Sequence, residues 1–164
     1  MIYNMDFLIS AMIILLLILW HFLGQKRAED LNNRVFLFFA VLGTADVVAE
    51  FFTNYYITSY NSDMGTAAVI VTPIFYLLQA LLPATFIFYI QTLHEQKIIS
   101  AKKMFISGVP TLVLISVILT NPFTEKLFSF DVTAGYVKGP WYLLMYVSAL
   151  GHFAVALLLI LLWR

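Results

Sequence analysis

Apolar residues in this chain fall into long, almost unbroken runs, without the alternation or three-four spacing of a surface half exposed to water. A helix that crosses a bilayer needs about 20 mainly apolar residues, because about 1.5 Å of rise per residue must cover about 30 Å of hydrocarbon. Five segments qualify, at about 5–24, 35–57, 66–93, 104–120 and 141–163. The first runs from Leu8-Ile9 to Leu19, with Trp20 near its end. The second opens on Val35-Phe36-Leu37-Phe38-Phe39 and closes on Phe51-Phe52 and Tyr55-Tyr56. The third is long enough to tilt and contains Pro73 and Pro83, which membrane helices tolerate when neighbours satisfy the freed carbonyls. The fourth is short and interrupted by Gly108-Val109-Pro110. The fifth begins at Trp141-Tyr142 and ends at Trp163-Arg164, so tryptophans mark both of its ends, as at membrane interfaces. The predicted fold is an all-α membrane bundle of about five transmembrane helices, forming one domain over residues 1–164.

The stretch between the fourth and fifth runs has a different pattern. Leu127-Phe128-Ser129-Phe130 and Tyr136-Val137 flank Asp131-Val132-Thr133-Ala134-Gly135, where Asp and Gly suit a tight reversal. This predicts a short β-hairpin near 127–138, with Gly139-Pro140 leading into the last helix.

Charge then orients the bundle. Lys26, Arg27, Arg34, Lys97, Lys102, Lys103 and Arg164 fall on one side, and only Lys126 and Lys138 on the other. Basic loops stay in the cytoplasm, so the N-terminus is expected outside, the C-terminus inside and the hairpin outside. No Lys or Arg precedes the first run, and the cluster Gln25-Lys26-Arg27 follows it. That is the reverse of a secretory signal, and predicts a retained helix.

Composition supports the same class. The chain is 62% hydrophobic and 11% charged, with mean hydropathy +0.92, against about 45–50% and about 25% in soluble domains. Formal net charge is zero, so no basic field points to nucleic acid. The absence of cysteine excludes disulfides and thiolate chemistry. His21, His94 and His152 show no metal-ligand spacing, and neither a metal nor a cofactor is expected.

Candidate chemistry is confined to a few polar residues within the runs. Asp46 and Glu50 are four apart, hence on one helical face, beside a stripe of Ala45 and Ala49 that permits close packing. Asp46 lies about twelve residues past Arg34, Gln79 about thirteen into the third run, and His152 eleven past Trp141. Counting from these ends places all three at a similar depth. A polar cluster of Asp46, Gln79 and His152 is therefore allowed, either as a ligand or proton site or as hydrogen-bonded glue between helices. Glu50 lies a turn further out. On the outer loop Phe128, Phe130, Tyr136 and Trp141 are the candidates for contact with a ligand or with lipid headgroups. Ser10, Ser107 and Ser116 have no His/Asp partner at a recognisable spacing, and no enzyme activity is expected.

Several stretches, taken in order, resemble the multi-span membrane sensor region at the N-terminus of bacterial signalling proteins. Regions of this type precede GGDEF diguanylate cyclase domains and are similar to the seven-helix N-terminal regions of sensor histidine kinases. The resemblance rests on Leu31-Asn-Asn-Arg34-Val-Phe-Leu, Ala45-Asp46, Leu119-Thr-Asn121-Pro122-Phe, Leu127-Phe128-Ser-Phe130-Asp131 and Tyr136-Val-Lys-Gly139-Pro140-Trp-Tyr142-Leu-Leu-Met-Tyr146. It implies a multi-pass protein of the bacterial plasma membrane, a homodimer, and a small ligand or membrane state as the signal. Such regions usually have about two more helices and then a cytoplasmic output domain, so the end at Leu161-Leu162-Trp163-Arg164 reads as that of a truncated sensor. The rival readings are a small transporter or channel subunit using Asp46, Glu50 and His152, and an accessory assembly subunit without a ligand.

Overall fold

The structure, a computed structural model, describes residues 5–24, 30–58, 65–95, 101–131 and 135–162. Lys26, Arg27, Lys97, Arg164 and the hairpin turn at 132–134 lie outside the described residues. Five helices and one hairpin follow in chain order: α1 (Met5–Gly24), α2 (Leu31–Thr58), α3 (Gly65–Glu95), α4 (Ala101–Thr124), β1 (Phe128–Asp131), β2 (Gly135–Lys138) and α5 (Leu143–Leu162). Each apolar run is thus one helix. α1, α2, α3 and α5 are long and apolar enough to cross a membrane, and α4 carries a shorter apolar stretch at Gly108–Thr124.

The helix ends follow local hydrogen bonding more than hydropathy. Asp30 caps α2: its Oδ1 accepts from the Asn33 N–H at 2.8 Å, so the helix starts before the apolar run does. α4 corrects the sequence reading. It continues through Gly108-Val109-Pro110 and past Pro122 to Thr124, because a proline removes one helical hydrogen bond while the turns on either side keep theirs. At its end Glu125 adopts a left-handed φ of 53°, with its N–H still bonded to the Asn121 carbonyl at 2.8 Å. α5 starts two residues later than the run, since Gly139 to Tyr142 form a turn closed by the Tyr142 N–H on the Gly139 carbonyl at 3.2 Å.

α3 is the central helix, packing against α2, α4 and α5, while α1 packs against α2. α2 and α3 run antiparallel. Phe36 meets Tyr89 (centroids 5.7 Å apart) and Phe39 meets Phe86 (5.6 Å). A Cβ on Gly43 would stand 3.6 Å from Leu82 Cδ1. These positions step by three and four residues on both helices, so one face of each lines a common seam. α5 runs parallel to α3: Tyr76 meets Tyr142 edge-on, and further along Ile87 and Ile90 pack with Ala156. Large apolar side chains on α1 and α5, among them Leu17, Trp20, Leu158 and Leu162, point away from the bundle. Lipid can cover such a surface and water cannot do so without penalty.

The hairpin forms as expected. β1 and β2 pair antiparallel, Phe128 opposite Lys138 and Phe130 opposite Tyr136, and Gly135 opens β2 at φ 70°. Behind it the chain folds back tightly. The Gly139 N–H bonds the Leu127 carbonyl and the Trp141 N–H the Lys126 carbonyl, both at 2.8 Å. A Cβ on Gly139 would overlap the Lys126 carbonyl, and backbone cannot swing aside as a side chain can. Gly139→Ala is therefore expected to destabilise by about 1–3 kcal/mol, read as a lower Tm in detergent. Gly151→Ala, inside α5 with nothing within 4 Å of the new methyl, should not lower Tm.

Candidate functional site

Asn121, in the last turn of α4, holds the hairpin in place. It is 2% exposed, and its amide is used at both ends: Nδ2 donates to the Phe128 carbonyl at 2.9 Å, and Oδ1 accepts from the Leu127 and Phe128 N–H groups at 2.7 and 3.3 Å. These strand-start groups are buried and would otherwise have no partner. So held, the hairpin presents its aromatic face to the helices. Phe128 stacks on Tyr76 of α3 with centroids 5.2 Å apart, and the Tyr76 and Tyr136 hydroxyls share a hydrogen bond of 2.5 Å. Leu127, Phe128, Tyr76, Ala80, Leu114, Ile118 and Met145 form one buried cluster, with Phe130, Tyr136 and Tyr142 packed against it. Of the outer-loop candidates, Phe128, Phe130 and Tyr136 thus belong to this cap. Trp141 is 45% exposed and lies under the Lys126 ammonium, 4.2 Å from its ring; Lys138 covers Tyr142 at the same distance. The basic residues on the hairpin side therefore rest on rings, an arrangement worth about 0.5–1 kcal/mol where exposed.

His152 is buried between α4 and α5. Its Nε2 lies 3.0 Å from Thr111 Oγ1, and its Nδ1 lies 2.7 Å from the Ser148 carbonyl. An acceptor carbonyl at Nδ1 places the ring proton there, so the Thr111 hydroxyl donates to Nε2. Both ring nitrogens are thus partnered, Nδ1 within α5 and Nε2 across to α4.

The polar trio expected at one depth is only partly assembled. Continued three and four residues at a time, the α2/α3 seam sets Asp46 level with Gln79, Glu50 level with Phe75, and Thr53 level with Thr72. His152 is not at this level. The offset shared by Tyr76 beside Tyr142 and Ile90 beside Ala156 puts Gln79 level with Met145, and His152 level with Phe86, about 10 Å further from the hairpin. The physical reason is that α3 starts eleven residues before Tyr76, whereas α5 starts beside it. Counting both helices from their ends therefore misaligned them. No hydrogen bond joins Asp46, Gln79 and His152 among the described residues.

The seam holds polar atoms without partners. Asp46 Oδ1, Thr53 Oγ1 and Thr72 Oγ1 are buried and make no hydrogen bond; Gln91 Oε1, also unpartnered, lies at the other end of α3. The threonines stand out because hydroxyls elsewhere in the helices return to the carbonyl four residues back, as Thr44 does to Ala40 and Thr85 to Leu81. Each buried unpaired group costs about 1–3 kcal/mol. No three His, Asp or Glu residues converge on a metal-sized site among the described residues.

Sequence reasoning on Asp46, Glu50 and Gln79 missed Thr53, Thr72, Asn121, Tyr76 and Thr111. The three-four spacing of positions 36, 39, 43, 46, 50 and 53 was the signal available for Thr53. Comparisons with protein-family models, with curated proteins and with solved structures find no match.

Asn121→Ala leaves two N–H groups and one carbonyl of the hairpin base unpaired. The expected result is a loss of at least about 1–3 kcal/mol, with the amides of Leu127 and Phe128 exchanging hydrogen much faster while Ile87 and Ile90 of α3 stay protected.

Proposed function

We propose that the chain is a five-helix sensor module of a bacterial plasma membrane, with its N-terminus and hairpin outside and its C-terminus in the cytoplasm. It responds to a small ligand or to the state of the membrane, and transmits by shifting between two helix packings. The observation that carries this reading is the hairpin cap. A surface element is tied by Asn121 to α4 and by Phe128 and Tyr136 to Tyr76 of the central helix, so a change at the outer face is delivered to α3, α4 and α5 together. The charge asymmetry of the loops and the resemblance to signalling-protein sensor regions support the same orientation and role. A homodimer would pass the shift to a cytoplasmic output domain. A ligand moves such an equilibrium only by binding one packing more tightly than the other.

An output domain fused in frame after Arg164, with activity that depends on helix arrangement, reads the packing. Asn121→Ala and Tyr76→Phe, which disturb the cap, are expected to change output severalfold at equal membrane abundance, while Leu158→Ala on the outward face of α5 is not. Equal output from all three contradicts the sensor reading. Proton uptake by liposomes containing the protein, abolished by Asp46→Asn, would establish the rival transporter instead.

A further inference from the structure

The two halves of the α2/α3 seam have opposite chemistry. Away from the hairpin it is aromatic and aliphatic: Phe36 on Tyr89, Phe39 on Phe86, Gly43 against Leu82. Toward the hairpin it holds Asp46, Glu50, Thr53 and Thr72, and three of their oxygen atoms are buried without partners. Thr53 is 3% and Thr72 0% exposed. The backbone adds to the mismatch. Pro73 and Pro83, both inside α3, leave the carbonyls of Val69 and Gln79 without their helical N–H groups, on the same stretch of the helix. A seam of this kind gains little from staying shut, because parting it exposes unpaired oxygens to water while the aromatic half remains packed.

We propose that the hairpin-side half of the α2/α3 seam opens to admit a small monovalent cation. Carboxylates, hydroxyls and freed carbonyls are all oxygen acceptors, and neither α2 nor α3 carries a Lys or Arg between Asp46 and Thr53 or between Thr72 and Gln79; the Lys138 ammonium at this end of the bundle lies over the Tyr142 ring. Two carboxylates without a third His, Asp or Glu donor among the described residues suit a single charge better than a divalent metal. Phe39 and Phe86 close the inner end, so the crevice has one entrance and the site binds without conducting. This inference deepens the sensor reading and rests on its orientation, with the hairpin outside.

The chain has no cysteine, so single cysteines report access directly. Thr53→Cys, Thr72→Cys, Phe39→Cys, Phe86→Cys and Val137→Cys are treated in intact cells with membrane-impermeant thiosulfonates, one bearing trimethylammonium and one bearing sulfonate. Val137 on the hairpin is exposed and should react with both. Thr53→Cys and Thr72→Cys should react at least tenfold faster with the cationic reagent, a preference lost when Asp46→Asn and Glu50→Gln are added. Phe39→Cys and Phe86→Cys should not react. Slower labelling in sodium chloride than in choline chloride would support an inorganic ion as occupant, and the converse an alkylammonium. If Val137→Cys reacts while both threonine positions stay silent, or if the two reagents react there at equal rates, the cation site is overturned and the orientation stands. A silent Val137→Cys overturns the orientation, and the site's outer access with it. Placing the two reporters on separate helices keeps the test valid should either variant fail to insert.

Discussion

Lipid offers no hydrogen bonds, so every polar group carried into an apolar bundle must find its partner inside the protein. Asn121 meets this constraint completely. Its amide group satisfies the base of the hairpin in both directions, which fixes where β1 leaves α4 and hence which face of the hairpin turns inward. Phe128 then stacks on Tyr76, and the hairpin-side ends of α3, α4 and α5 acquire a common cap. His152 meets the same constraint nearer the middle, joining α4 to α5 through Thr111. The hairpin base and the α4/α5 contact are thus held by matched polar contacts set in apolar packing.

The side of α3 that faces α2 is not matched in this way. Half of that seam is aromatic and close-packed, while the other half leaves Asp46, Thr53 and Thr72 oxygens unpaired. A bundle that is well satisfied along one seam and poorly along the next has an obvious place to move. The hairpin cap lies at the same end as the poorly matched half, since Tyr76 is four residues from Thr72 on α3 and three from Gln79. Any rotation or tilt of α3 that opens the seam also shifts Tyr76 under the hairpin.

The helices and the hairpin were legible in the chain because their signals are local. A run of about 20 apolar residues can satisfy its backbone in a bilayer only as a helix, and Asp-Gly turn chemistry between aromatic pairs marks a reversal. Relative depth was not legible. It depends on how far each helix extends past its neighbours, and α3 overruns α5 by about three turns on the hairpin side, so Asp46 and Gln79 share a level that His152 does not. The break expected at Gly108-Val109-Pro110 failed for a related reason: a proline signals one lost bond, and context decides whether the helix survives it. The role of Asn121 was hidden because the partners that define it come six and seven residues later, at the start of a strand. Thr53 and Thr72 were hidden because threonine within an apolar run ordinarily bonds its own helix, as Thr44 and Thr85 do.

The proposed sensor needs five spans with the hairpin outside, and fusion mapping tests that topology most directly. Alkaline phosphatase, active only outside, and green fluorescent protein, fluorescent only inside, are joined in turn after residues 28, 62, 99, 133 and 164. Phosphatase activity is predicted at 62 and 133, and fluorescence at 28, 99 and 164. Fluorescence at 133, or phosphatase activity at 164, would contradict this topology.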